Sequence, residues 1–97
     1  MSREEEIIQR TIDVLKQQLN PPRIILFGSR AKGTARHGSD FDFALDIPRP
    51  ESSLYRRLWD HIEAFSGLYG IDLVFLGDVN PEFKELVLRT GKIIYER

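Results

Sequence analysis

The chain contains no cysteine. That one absence excludes disulfides, thiolate nucleophiles and cysteine-ligated zinc. It also lacks a signal-like segment and any apolar run long enough to span a bilayer, so a cytoplasmic location is expected. Charge of one sign is not in excess: 14 Lys and Arg stand against 15 Asp and Glu, a net charge of −1. A near-neutral chain has no long-range field to draw it to nucleic acid, and no direct nucleic-acid binding is expected. Internal repeats, low-complexity tracts and linkers are missing as well. At 97 residues the chain is expected to form one domain over 1–97, burying about two thirds of its unfolded surface. If so small a domain is an enzyme, much of its acceptor site has to come from a partner.

What is present is a regular alternation of helical and strand patterns. Ser2 and Glu5 have capping-box spacing, and Ile8, Ile12, Leu15 and Leu19 follow at helical intervals. Asn20-Pro21-Pro22 stops that helix. Arg23 to Phe27 reads as a buried strand ended by Gly28, with a short helix predicted from Ser29 to about Ala35. Residues 40–47 alternate, with Phe41, Phe43, Leu45 and Ile47 on one face and Asp40, Asp42, Ala44 and Asp46 on the other. A helix is expected from about Ser52 to Ser66, a third strand from Ile71 to Leu76, and a helix opened by Asn80-Pro81 and closed by Gly91. A short last strand covers Lys92 to Tyr95. The order α-β-α-β-α-β-α-β implies an α/β sheet covered by helices, although it leaves the strand order open.

The chemistry concentrates between Leu26 and Leu45, in the run LFGSRAKGTARHGSDFDFAL. Asp40 and Asp42 project to the same side of one strand, about 6–7 Å apart. Bare carboxylates there raise each other's pKa, and a divalent cation reverses the sign of that interaction. Mg²⁺ favours one or two carboxylates plus phosphate oxygens, and a pair of ions about 3.5–4 Å apart clamps an in-line displacement. A phosphate cradle is then needed. Gly28 has no Cβ to hold a phosphate away from the backbone, and Ser29 adds a hydroxyl at a helix start. Asp72, between Ile71 and Leu73, is costly in an apolar strand unless paired or metal-bound. It is the candidate third ligand and proton acceptor. Asp46 shares the face but lies about 13 Å beyond Asp42, at the far end of the strand, and is left out of the site.

Each of these residues also has a plain structural reading. Gly28-Ser29 serves as an ordinary strand-to-helix turn, Asp40 as a loop-end cap, and Asp72 as a partner for Arg23. Ser39 either orients phosphates or turns its loop. Arg30, Lys32 and His37 are placed to meet a triphosphate or to face water, and His61 reads as structural. Tyr55 and Trp59 widen the apolar stripe of their helix to about 140°, either packing under the termini or forming a protein interface.

Together, Gly28-Ser29, Asp40-Phe41-Asp42-Phe43 and Ile71-Asp72-Leu73 resemble the motifs of the polymerase-β-like nucleotidyltransferase superfamily, and more narrowly its minimal nucleotidyltransferases. The resemblance runs from Arg23 to about Tyr95, with every carboxylate position filled. It implies a mixed sheet with packed helices, ATP as substrate and Mg²⁺, two ions in number, as cofactor. Gly28, Ser29 and Ser39 would hold the nucleotide, and Asp40, Asp42 and Asp72 would bind metal and act in catalysis. It further implies a HEPN-domain toxin as partner, with AMP transferred to a tyrosine hydroxyl of that toxin and this chain as antitoxin. The other readings are a nucleotide-binding module that neutralises its partner by contact alone and a small-molecule nucleotidyltransferase. No second domain is evident to hold a small acceptor, which counts against the latter.

Overall fold

The computed structural model describes residues 2–33 and 40–97. The elements are α1 (Arg3–Gln18), β1 (Arg23–Phe27), α2 (Ser29–Lys32), β2 (Phe41–Leu45), α3 (Ser52–Ser66), β3 (Ile71–Phe75), α4 (Pro81–Thr90) and β4 (Lys92–Glu96). Two helix starts follow the capping chemistry read from the sequence. The Ser2 hydroxyl accepts the Glu5 N–H at 3.1 Å, and Asn80 Oδ1 accepts the Phe83 N–H at 2.7 Å with Pro81 in the first turn.

The four strands make one mixed sheet in the order β3-β2-β1-β4. β1 runs antiparallel to β2 and to β4, and β2 runs parallel to β3. A parallel pair needs a long crossover connection, which α3 supplies; the antiparallel β1–β2 pair is bridged through the single turn of α2.

Strand alternation divides the core. Ile24, Leu26, Phe41, Phe43 and Leu45 bury one face against Ile7, Ile12 and Leu15 of α1 and Leu58 and Ile62 of α3. Ile25 and Ala44 face the other way, against Leu76 and against Val87 of α4, with Phe27, Val74 and Phe83 half-buried beside them. The first face carries two long helices and the second only α4. Much of the stability therefore resides on the first face.

Several local features depart from the sequence reading. β2 is shorter than the alternating pattern, so Asp40 and Asp46 lie just outside its two ends. α2 is a single turn, Ser29–Lys32, because Gly33 takes a left-handed conformation (φ 73°) and closes it. Gly91 caps α4 in an extended conformation (φ −81°, ψ 172°). Its lack of a side chain serves packing instead, since a Cβ there would crowd Ile25 and the Val87 carbonyl. Tyr55 and Trp59 are half-buried: their rings tilt against each other at 6.2 Å, Tyr55 meets Phe75 at 6.1 Å, and the Arg49 guanidinium lies over Tyr55 at 4.1 Å. Both belong to the first-face core rather than to an open patch. His61 is exposed.

Asp46 is held at the far end of β2. It accepts from Arg23 Nε at 3.1 Å, pairs with Arg23 Nη2 at 2.5 Å, and has Lys84 Nζ at 3.6 Å. The hydrogen bond from Arg23 holds its carboxyl below the usual range, against the opposing effect of burial. Arg23 is thus engaged away from Asp72.

Phe43 is fully buried on the central strand pair between the sheet and the two long helices. Phe43→Ala is expected to cost about 3–5 kcal/mol. At about 4–8 °C per kcal/mol for a domain of this size, thermal denaturation should register a Tm loss of at least about 12 °C. A loss of only a few degrees would mean that the first face does not carry the fold.

Candidate functional site

The site grows from one rung of the sheet. In the antiparallel pair Phe27 stands opposite Asp42, and in the parallel pair Asp42 stands opposite Asp72. Partners on adjacent strands point to the same side, so Asp42 and Asp72 lie next to each other on the second face. The next rung along that face carries Ala44 and Val74, which pack in the cluster with Val87 of α4. The carboxylates therefore lie one rung beyond that cluster, with Asp42 half-buried and Asp72 exposed. Phe27 meets Phe83 edge to face, with ring centroids 6.3 Å apart, and forms an apolar floor beside them.

Gly28 follows Phe27 and caps α2 with φ 73° and ψ −152°. A side chain at this position would strain the backbone and also collide with the Asp42 carboxylate. β1 and β2 being neighbours thus brings the glycine turn directly against the first carboxylate. Ser29 opens α2 and is half-buried. With only one turn behind it, a helix dipole contributes little there.

Asp40 is exposed and immediately precedes β2. The next residue, Phe41, donates its N–H to the Gly70 carbonyl at 2.9 Å. Asp72 is exposed as well, because β3 is the edge strand and the second face is open beside it. The burial cost expected for an acid flanked by Ile71 and Leu73 consequently does not arise. Asp42 is the half-buried member of the three.

Burial pushes the Asp42 pKa above its usual value, and the neighbouring charges of Asp72 and then Asp40 push it further. A hydrogen bond with Asp72, available to the protonated form, acts in the same direction. Among the described residues no three acids or imidazoles close into a preformed metal cage. What the fold brings together is the Asp42–Asp72 pair with Asp40 close enough to be felt. An all-carboxylate set whose charges help to raise the pKa of Asp42 suits a hard divalent cation such as Mg²⁺, whose charge offsets the repulsion.

The other expected residues are distributed differently. The Arg30 guanidinium lies 4.1 Å over the ring of Phe41, a first-face residue, so it is stacked on the side of the sheet away from Asp42. Lys32 is exposed. Ser39 and His37 lie outside the described residues. Gly70, whose carbonyl holds the Phe41 N–H, is a residue that the motifs do not single out. Its signal was its spacing, two residues before Asp72 and so on the same face.

A clustered, partly buried carboxylate predicts a conflict between stability and chemistry. With its folded-state pKa raised, Asp42 favours folding most when protonated, and this contribution is lost as pH rises through the folded-state value. At neutral pH the ionised side chain is a burden. Asp42→Asn is therefore expected to raise Tm at pH 7 in the absence of divalent ions. The gain should shrink as pH falls toward the ordinary carboxylate range. Thermal denaturation over that pH series checks this, and a lower Tm for the variant at every pH would contradict it.

The model of the family "polymerase beta, nucleotidyltransferase" matches residues 9–97. No curated protein matches the chain significantly. Among solved structures, a toxin–antitoxin complex with AMP-PNP is 25% identical, with 92% of this chain and 73% of that one covered at a TM-score of 0.70. A minimal nucleotidyltransferase is 26% identical, with 98% and 96% covered at 0.67. The MntA-HepT toxin–antitoxin is 20% identical, with 96% and 73% covered at 0.65, a likeness of fold. The family model covers most of the chain and the mixed sheet with packed helices agrees with it, so the chain belongs to the polymerase-β nucleotidyltransferase family.

Proposed function

We propose that the chain is a Mg²⁺-dependent nucleotidyltransferase that moves AMP from ATP to a protein hydroxyl. The acceptor is a tyrosine of a HEPN-type toxin, and the chain serves as its antitoxin. We take residues 1–97 as one domain working in the cytoplasm. The observation that carries this reading is the pairing of Asp42 and Asp72 on one rung, with the Gly28 turn against Asp42 and Asp40 alongside. The structural likeness to a toxin–antitoxin complex with AMP-PNP supports an adenine nucleotide and a toxin as partner. HEPN identity and the tyrosine acceptor rest on the family resemblance.

In this mechanism Asp40, Asp42 and Asp72 would hold the Mg²⁺ ions, which supply charge neutralisation at the triphosphate. Gly28, which carries no Cβ, would receive the phosphates together with Ser29 and Ser39. The acceptor oxygen attacks the α-phosphorus in line. A new P–O bond forms to that oxygen, the bond to the bridging oxygen of the β-phosphate breaks, and pyrophosphate leaves with the electron pair. The hydroxyl proton passes to the Asp72 carboxylate, whose exposure on the edge strand leaves it open to a macromolecular acceptor. Catalysis is positioning and charge neutralisation, with no covalent intermediate.

Intact-mass spectrometry of the toxin encoded beside this gene tests the proposal. The toxin is incubated with Mg-ATP and either the wild-type chain or Asp42→Ala. Whole AMP units should appear with the wild type. The variant should transfer at least about 10²-fold more slowly, since several kcal/mol of transition-state stabilisation are lost. Full activity of Asp42→Ala would sink the assignment. An unmodified toxin held in a tight complex would establish neutralisation by binding alone.

A further inference from the structure

We infer that Gly70 is a positioning residue for Asp40: the side chain it lacks is the space that the Asp40 carboxylate occupies. The geometry is independent of function, whereas its consequence for metal binding rests on the reading of Asp40 given above.

Backbone conformation does not require glycine here. Gly28, Gly33 and Gly67 have positive φ among the described residues, and Gly70 does not. Space does require it. A Cβ at Gly70 would overlap Asp40 Oδ1, stand 2.7 Å from Cγ and 3.3 Å from Oδ2. The three nearest atoms all belong to that one side chain and none to the backbone. Gly77 is the contrasting case, because its Cβ would strike the main chain of Ile47 and Pro48. At Gly28 clearance for Asp42 is combined with a left-handed φ. Gly70 is thus a site where clearance for a carboxylate can be altered without straining the backbone.

The segment bearing Gly70 has little freedom to retreat. Its carbonyl accepts the Phe41 N–H at 2.9 Å, and the Tyr69 N–H bonds to the Ser66 carbonyl at 3.0 Å. The Tyr69 ring lies 5.7 Å from Phe41 and 6.0 Å under the Arg3 guanidinium, and Arg3 Nη2 also donates to the Phe65 carbonyl at 2.9 Å. A methyl group at position 70 would therefore displace the Asp40 carboxylate rather than the strand. The chain places such a clearance beside Asp42 on β2 and beside Asp40 just before it, Gly28 for the first and Gly70 for the second.

The test uses Gly70→Ala, Asp40→Ala and the double variant in the full chain. Carbon-13 NMR of the side-chain carboxyls is recorded without metal, and Mn²⁺ binding is followed by the EPR signal of the free ion. Gly70→Ala should keep the wild-type fold by circular dichroism and shift the Asp40 carboxyl signal. It should also weaken Mn²⁺ binding by about 10–100-fold, the range seen when a residue that orients a metal ligand is changed. The double variant should bind no worse than Asp40→Ala alone, because the methyl then has no carboxylate to displace. An unmoved Asp40 signal, or losses that add in the double variant, would overturn the inference. If the wild type fails to bind Mn²⁺, the metal reading falls, and the metal-free Asp40 signal still decides the role of Gly70.

Discussion

Two acids held side by side by backbone hydrogen bonds set the terms for the rest of this molecule. Asp42 and Asp72 are register partners in a parallel strand pair, and their separation is fixed by the ladder rather than by any attraction between the side chains. Left to themselves, like charges move apart. The fold prevents this by burying Phe41, Phe43 and Leu45 on the reverse of the same strand. Hydrophobic burial on one face therefore maintains electrostatic repulsion on the other. The pKa of Asp42 is raised first by its burial and then by the charges of Asp72 and Asp40.

The division of labour between the faces follows from helix coverage. α1 and α3 cover the first face, and the buried aromatic and aliphatic side chains of both central strands meet there. α4 covers only part of the second, through Val87 and Phe83, reaching Phe27 on the acids' rung but leaving Asp42 half-buried and Asp72 exposed. A fuller second layer would bury Asp72 and block approach from the side. The thin layer leaves Asp40 and Asp72 exposed while Asp42 is partly desolvated, so one cluster presents carboxylates in different environments.

Much of this was legible in the sequence, and the reason is local. Element order, the caps at Ser2 and Asn80, and the two faces of β2 all depend on side-chain period and on hydrogen bonds between near neighbours. Strand order was not legible, because it depends on contacts distant in the chain. Residues 23–27 gave no sign that they would be flanked by β2 on one side and β4 on the other. The exposure of Asp72 was misjudged for the same reason: its flanking residues predicted burial, but edge position decided otherwise. Arg30 is drawn away from the carboxylate side by the face of Phe41, a contact that sequence spacing does not reveal.

The glycines show where local reasoning stops most clearly. Gly28 announced itself through its strand-to-helix turn, and its positive φ agrees with that role. Gly70 has no positive φ and sits 30 residues from Asp40 in the chain, yet it lies against that carboxylate. Its identity is set by what a neighbouring strand places beside it. A turn glycine is constrained by its own torsions and can be read from its immediate neighbours. A clearance glycine is constrained by another residue's side chain, and only the register of β2 on β3 identifies which one. That same register aligns Asp42 with Asp72, so a slip of one residue would remove the clearance at Gly70 and the carboxylate pair together.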